Sequence, residues 1–133
     1  MEPLKIIVAD DLPAFRYLVR KFFEPFSVFE IVGEAADGHS ALEMTLRLLP
    51  HVCIMDMEMP RLSGMEATRR IKRVLPDVHV VGLSSQDDAL TRGAMTVAGC
   101  SAFITKDCAH TLPDVIAKLT GRQITTNVFE GGV

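Results

Sequence analysis

The sequence predicts one α/β domain, five strands alternating with five helices, built as a doubly wound parallel sheet. Three observations predict it. Short apolar, β-branched runs recur along the chain, separated by amphipathic helical stretches, and right-handed crossovers turn that alternation into a parallel sheet with helices on both faces. The runs end on chemically capable residues: Asp10-Asp11, Asp56, Ser84-Ser85 and Lys106. Finally, 133 residues of which 48% are apolar suit a single core and exclude a disordered chain.

Leu4 to Ala9 is nearly all apolar, as a strand buried on both faces must be. A helix follows from Leu12-Pro13, with Pro13 tolerated in its first turn, and ends before Pro25. Its apolar positions Phe15, Leu18, Val19, Phe22 and Phe23 read as a stripe packed on the sheet. Phe29 to Glu34 partly alternates, as an edge strand does. Ala36-Asp37-Gly38 reads as a turn before a helix over Ser40 to Leu49, stopped by Pro50.

Val52 to Asp56 is a central strand that ends on a carboxylate. Ser63-Gly64-Met65-Glu66 then reads as a capping box opening a helix to about Leu75. That helix carries Arg69, Arg70, Lys72 and Arg73, which read as a solvated face supported by a Glu66–Arg70 pair. Val78 to Leu83 is a strand, and Asp87-Asp88 suit the first turn of a helix to Ala98, with Gly99 beyond its end. Ala102 to Thr105 delivers Lys106. Thr111-Leu112-Pro113-Asp114 opens a last helix ending near Thr120. The domain is expected over 1–121, and 122–133 as a flexible tail or the stub of a linker.

A net charge of −3 with both signs interspersed argues against a sequence-independent grip on nucleic acid. Three cysteines and four histidines show no metal or redox spacing, and Cys53 and Cys100 read as small core residues. With no membrane-length apolar run and no signal peptide, a soluble, cytoplasmic protein is expected.

In the flavodoxin-like strand order 2-1-3-4-5, strands 1 and 3 are neighbours, which places Asp10, Asp11 and Asp56 side by side at the carboxyl edge. Three close carboxylates repel, and an all-oxygen set favours Mg²⁺ over zinc. Asp56 is then the natural nucleophile toward phosphorus, Lys106 neutralises phosphoryl charge, and Ser84 offers a hydroxyl that can follow a phosphoryl oxygen. Glycine-rich nucleotide motifs are missing, and Asp10-Asp11-Leu12 does not match the D-x-D acid of haloacid-dehalogenase-like phosphatases.

The acidic pair, I-M-D-M-E-M-P at 54–60, Gly64, L-S-S at 83–85 and F-I-T-K at 103–106 together resemble a response-regulator receiver domain of two-component signalling. The likeness covers roughly 4–120. Asp37-Gly38 with Ala41-Leu42-Glu43, and Lys106-Asp107, look most like the subgroup that often carries helix-turn-helix output domains.

The resemblance implies that Asp56 accepts a phosphoryl group from a sensor histidine kinase or phosphotransfer protein. It implies that Asp11, Asp56 and the backbone carbonyl of Glu58 bind Mg²⁺ directly, with Asp10 helping through water. Ser84 and Lys106 would bind the phosphoryl group. Phe103 stands where an aromatic swings with the hydroxyl, though an ordinary core aromatic fits it as well.

The chain departs from the family at three places. Ser85 replaces a smaller residue, Asp107 replaces a frequent proline, and Glu58 brings a negative charge that would hinder the hydrolytic water. A phosphorylation-dependent homodimer and output to transcription are possible extensions. A Mg²⁺-dependent phosphatase or phosphotransferase acting on outside substrates is the alternative, and a phosphate-independent scaffold a third. The face made by the last two helices and the strand between them, or helix 1 with helix 5, would meet a partner.

Overall fold

The computed structural model describes residues 2–124. In chain order these form β1 (Leu4–Ala9), α1 (Pro13–Phe23), β2 (Phe29–Ala35), α2 (Gly38–Leu48), β3 (Val52–Asp56), α3 (Gly64–Val74), β4 (His79–Ser84), α4 (Ala89–Ala98), β5 (Ala102–Thr105) and α5 (Leu112–Thr120). All strand pairs are parallel and the order is β2-β1-β3-β4-β5, the expected flavodoxin-like winding.

Alternation along the central strands sorts the apolar side chains into two cores. Ile6, Val8, Ile54, Val81 and Leu83 face Val19 and Phe23 of α1 and Leu112 and Ile116 of α5. Ile7, Ala9, Cys53, Met55 and Val80 face Ala41, Ala67, Ile71 and Met95 of α2, α3 and α4. Each fully buried side chain of this size contributes about 1.5–3 kcal/mol. A one-residue slip of β1 or β3 would exchange the two sets, so the register at the strand tips is strongly held.

Several boundaries move for identifiable reasons. Helix α2 begins at Gly38 rather than Ser40, because Asp37 is its N-cap and accepts from the Ser40 N–H at 2.7 Å. The Asp37-Gly38 pair is therefore a cap and not a free turn. Ser63 caps α3 as expected, accepting from the Glu66 N–H at 3.1 Å, and the Glu66 carboxylate is engaged by Arg69 and Arg70. Asp88 caps α4, while Asp87 stays outside the helix and pairs with Arg92 at 2.6 Å.

Leu18 departs from the expected α1 stripe: it is 44% exposed and lies beside the buried rows rather than in them. A 3-10 helix over Lys106–Thr111 joins β5 to α5. Its K-D-C-A-H-T sequence has no apolar periodicity to announce it.

Arg122 donates from its backbone N–H to Ala117 and from Nη1 to the Glu2 carbonyl, and Ile124 packs against the core between the sheet and α1 and α5. The rest of the expected tail, 125–133, lies outside the described residues.

Candidate functional site

The paired stretch of β1 and β3 closes with Ala9 opposite Met55. The next residue on each strand is an aspartate, so strand register alone puts Asp10 beside Asp56. Both are buried, at 0% and 2% exposure, whereas Asp11 is exposed. One carboxylate oxygen from each of Asp10, Asp11 and Asp56 lies within 4.8 Å of the others.

Lys106 arrives from the end of β5, on the far side of β4. Its Nζ donates to Asp56 Oδ2 at 3.2 Å and stands 2.8 Å from Asp10 Oδ2. The Phe15 ring of α1 lies 4.9 Å from the ammonium. Burial pushes the Asp56 carboxyl up to about 6, reinforced by the negative charge of Asp10 and opposed by the Glu58 N–H and Lys106. Burial acts on Lys106 in the opposite sense, but Asp10 and Asp56 outweigh it and raise the Lys106 pKa. The lysine therefore remains an ammonium across the physiological range.

The loop after β3 is held close by four features. Glu58 donates its N–H to Asp56 Oδ1 at 3.1 Å, while its side chain is exposed. Gly64 donates to the Met57 carbonyl, and a β-carbon at Gly64 would fall 1.8 Å from the Asp56 carbonyl oxygen. A β-carbon at Gly38 would likewise fall 1.8 Å from the Leu62 carbonyl oxygen, so α2 and this loop touch backbone to backbone. Arg61, in the left-handed region at φ 68°, binds Asp37 Oδ2 through Nε and Nη2 at 3.1 and 2.5 Å. The Ser40 N–H, together with Arg61, holds the Asp37 carboxyl down at about 2.

Ser84 is buried at the tip of β4, its Oγ accepting from the Gln86 N–H at 3.1 Å. Ser85 is exposed and lines an open groove with Asp87, Thr105, Lys106, Asp107 and Cys108. Phe103 is partly buried against the core shared with α2, α3 and α4, and the Arg92 guanidinium lies 4.4 Å over its ring.

The structure thus gathers Asp10, Asp11, Asp56 and Lys106 at one point, with Glu58 in the adjoining loop and Ser84 and Phe103 on the neighbouring strands. Arg16, Glu34 and Arg61 support that point but were not singled out from the sequence. Their partners are far away in the chain and no short motif marks them. Asp37 is read from the sequence as part of a turn and of the subgroup likeness, not as a cap; the D-x-x-S spacing to Ser40 is the signal that could have identified it as one.

The sequence matches a known family, the response regulator receiver domain, over residues 6–118. This chain is a response regulator receiver domain.

The receiver domain is 40% identical over 114 residues to protein-glutamate methylesterase/protein-glutamine glutaminase 4 of Myxococcus xanthus, covering 85% of this chain and 32% of that protein. It is 34% identical over 104 residues to the transcriptional regulatory protein DegU of Brevibacillus brevis, covering 78% and 44%. It therefore spans a third to a half of the length of these curated relatives. The methylesterase is an enzyme as a whole, but the match involves its receiver portion.

Among solved structures, the signal receiver domain of the putative response regulator NarL from Mycobacterium tuberculosis superposes with a TM-score of 0.84 at 28% identity, covering 92% of this chain and 100% of that one. The isolated receiver of RcsB from Salmonella enterica, solved with the phosphomimetic BeF3⁻, gives 0.82 at 26% identity, covering 93% of each.

Receiver domains of response regulators are phosphorylation-activated switches, and this domain is one of them; a free-standing phosphatase is not favoured. Receiver domains bind Mg²⁺ at an acidic pocket and interact with histidine kinases or phosphotransfer proteins. No helix among the described residues is long and apolar enough to cross a membrane.

Proposed function

We propose that Asp56 is the phosphoacceptor of this receiver domain, served by Asp10, Asp11, Glu58, Ser84 and Lys106. The observation that carries this is the placement of a nearly inaccessible Asp56 carboxylate within reach of two further carboxylates and one ammonium.

The donor set suits Mg²⁺. All its side-chain donors are oxygens, and Asp10 Oδ2 is buried without a hydrogen bond among the described residues, since Lys106 approaches it off the bonding direction. Asp11, Asp56 and the Glu58 backbone carbonyl would hold the ion directly, with Asp10 acting through water. When bound, Mg²⁺ supplies positive charge to the oxygens of a transferring phosphoryl group.

The chain's own residues do the remaining work. With its pKa at about 6, Asp56 is mostly ionised at neutral pH and ready to attack. A bond forms between an Asp56 carboxylate oxygen and phosphorus as the bond from phosphorus to the donor's leaving atom breaks. Lys106 already donates to Asp56 Oδ2 and turns that charge to the phosphoryl oxygens. The Ser84 oxygen is occupied by the Gln86 N–H, which leaves its proton for a phosphoryl oxygen. A hydroxyl moving toward the phosphate draws the segment before α4 with it, and Phe103 follows, reshaping the face of α4, β5 and α5.

The whole protein would receive phosphate from a histidine kinase or phosphotransfer protein in the cytoplasm and pass the change to an output, as DegU-like regulators of transcription would. A phosphorylation-dependent homodimer is one form of that output. The domain is assigned to 1–121, with Arg122 and Ile124 still held against it.

Incubation with a small phosphodonor and Mg²⁺ tests the assignment. Stoichiometric, self-limited label on the parent and none on Asp56→Asn is expected. Label persisting in Asp56→Asn, or unlimited turnover of the donor, overturns it.

A further inference from the structure

Asp10 is fixed at nearly every polar atom. Its N–H donates to the Ala35 carbonyl at 3.0 Å, and its Oδ1 accepts from the Leu12 N–H at 2.9 Å. Its carbonyl oxygen accepts from Arg16 Nη1 at 2.5 Å. The one oxygen left without a hydrogen bond is Oδ2, which faces Lys106 and the acidic cluster. Arg16 is itself anchored: its Nε donates to Glu34 Oε1 on β2 at 3.0 Å, and its side chain is only 16% exposed. Arg20 binds the other Glu34 oxygen, so Glu34 keeps a cationic partner if Arg16 is lost.

From this geometry, and resting on the reading of the acidic cluster as a Mg²⁺ site, we infer that Arg16 is a positioning residue for that site. Anchored on Glu34, it clamps the Asp10 carbonyl and so fixes the direction in which Asp10 Oδ2 is offered to a water on the ion. Its side chain donates to the backbone of Asp10 and to Glu34, so it orders the metal-binding residues from behind rather than from inside the cluster. Outer partners of this kind govern affinity by holding a ligand group in one orientation. Packing of α1 does not require the contact, because Val19 and Phe23 supply its buried face.

The test is a Mg²⁺ titration of the 133-residue chain followed by amide NMR, comparing parent, Arg16→Met, Arg16→Lys and Glu34→Gln. Arg16→Met is expected to keep a native spectrum and to bind Mg²⁺ about tenfold more weakly, as loss of an outer-shell partner does. Phosphodonor labelling of Arg16→Met should recover at saturating Mg²⁺, which separates weakened binding from damaged chemistry. Arg16→Lys, which retains one donor, should regain part of the affinity.

Parent-like Mg²⁺ affinity in a folded Arg16→Met overturns the inference and leaves Arg16 a stabilising surface residue. Should Arg16→Met not fold, Glu34→Gln decides: weakened Mg²⁺ binding supports the clamp and unchanged binding overturns it. A parent chain that binds no Mg²⁺ defeats the site reading itself, and this inference with it.

Discussion

Lys106 and Asp56, separated by 50 positions in sequence, are joined by a 3.2 Å hydrogen bond that closes the acidic cluster. In the metal-free domain the ammonium offsets the mutual repulsion of Asp10 and Asp56. During phosphoryl transfer the same charge faces the phosphoryl oxygens. Lys106→Ala should therefore slow labelling by roughly 10²-fold, the scale on which a single charge-stabilising donor acts. Mg²⁺ affinity should hold or increase, because a competing cation has left the ligands. Parallel loss of both properties would mean that the lysine supports the fold instead.

Metal-free stability should depend on the protonation of Asp56. Its folded pKa of about 6 lies above the ordinary carboxylate value of 3.8, so the folded state keeps a proton that the unfolded chain releases. Stability from this group is full below the unfolded pKa and declines as pH rises through the folded one. A shift of that size is about 3 kcal/mol at face value. Screening by water at the strand tips reduces it to on the order of 1–2 kcal/mol. Urea melts without Mg²⁺ should find Asp56→Asn more stable than the parent at about pH 8, with the difference gone by about pH 4. An equal advantage at both pH values would exclude the charge as its cause.

Gly64→Ala should be costly. Its new β-carbon meets the Asp56 carbonyl at 1.8 Å and the Met57 α-carbon at 2.9 Å, and neither is the movable end of a side chain. A loss of at least about 1–3 kcal/mol is expected from such overpacking, with slower labelling because Asp56 itself is displaced. Gly93→Ala is the control. Nothing lies within 4 Å of its β-carbon position inside α4, so the same substitution there should stabilise by about 0.5–1 kcal/mol. Equal responses at the two glycines would contradict the close approach.

Glu58 projects an exposed carboxylate from the loop that contacts Asp56. A negative charge there opposes the approach and activation of a hydrolytic water at the aspartyl phosphate. Glu58→Asn should shorten the phosphorylated lifetime several-fold, followed as decay of label after donor removal. An unaltered decay rate would strip Glu58 of this role.

Much of this architecture was legible because two signals coincided. Apolar runs such as Leu4 to Ala9 and Val52 to Asp56 marked strands buried on both faces, and each stopped at a residue costly to bury. Strand order followed from asking which order brings those acids together. Contacts made by long side chains across the fold were not legible. Arg16 reaches Glu34 across 18 positions and Arg61 reaches Asp37 across 24, and any exposed arginine in a sequence has many such partners open to it. The 3-10 helix after Lys106 escaped because it is shaped by the junction of β5 with α5, not by a periodic apolar face. Leu18 was misplaced because the aromatic-rich α1 offers more apolar residues than one face can bury.

The three cysteines give the molecule an unplanned convenience. Burial lifts the thiols of Cys53 and Cys100 to about 11, so both are poor nucleophiles, while Cys108 stands in the open beside the groove at Lys106. A maleimide dye would attach there selectively. Because the chain has no tryptophan, such a fluorophore would report on the lysine's surroundings against a dark protein background.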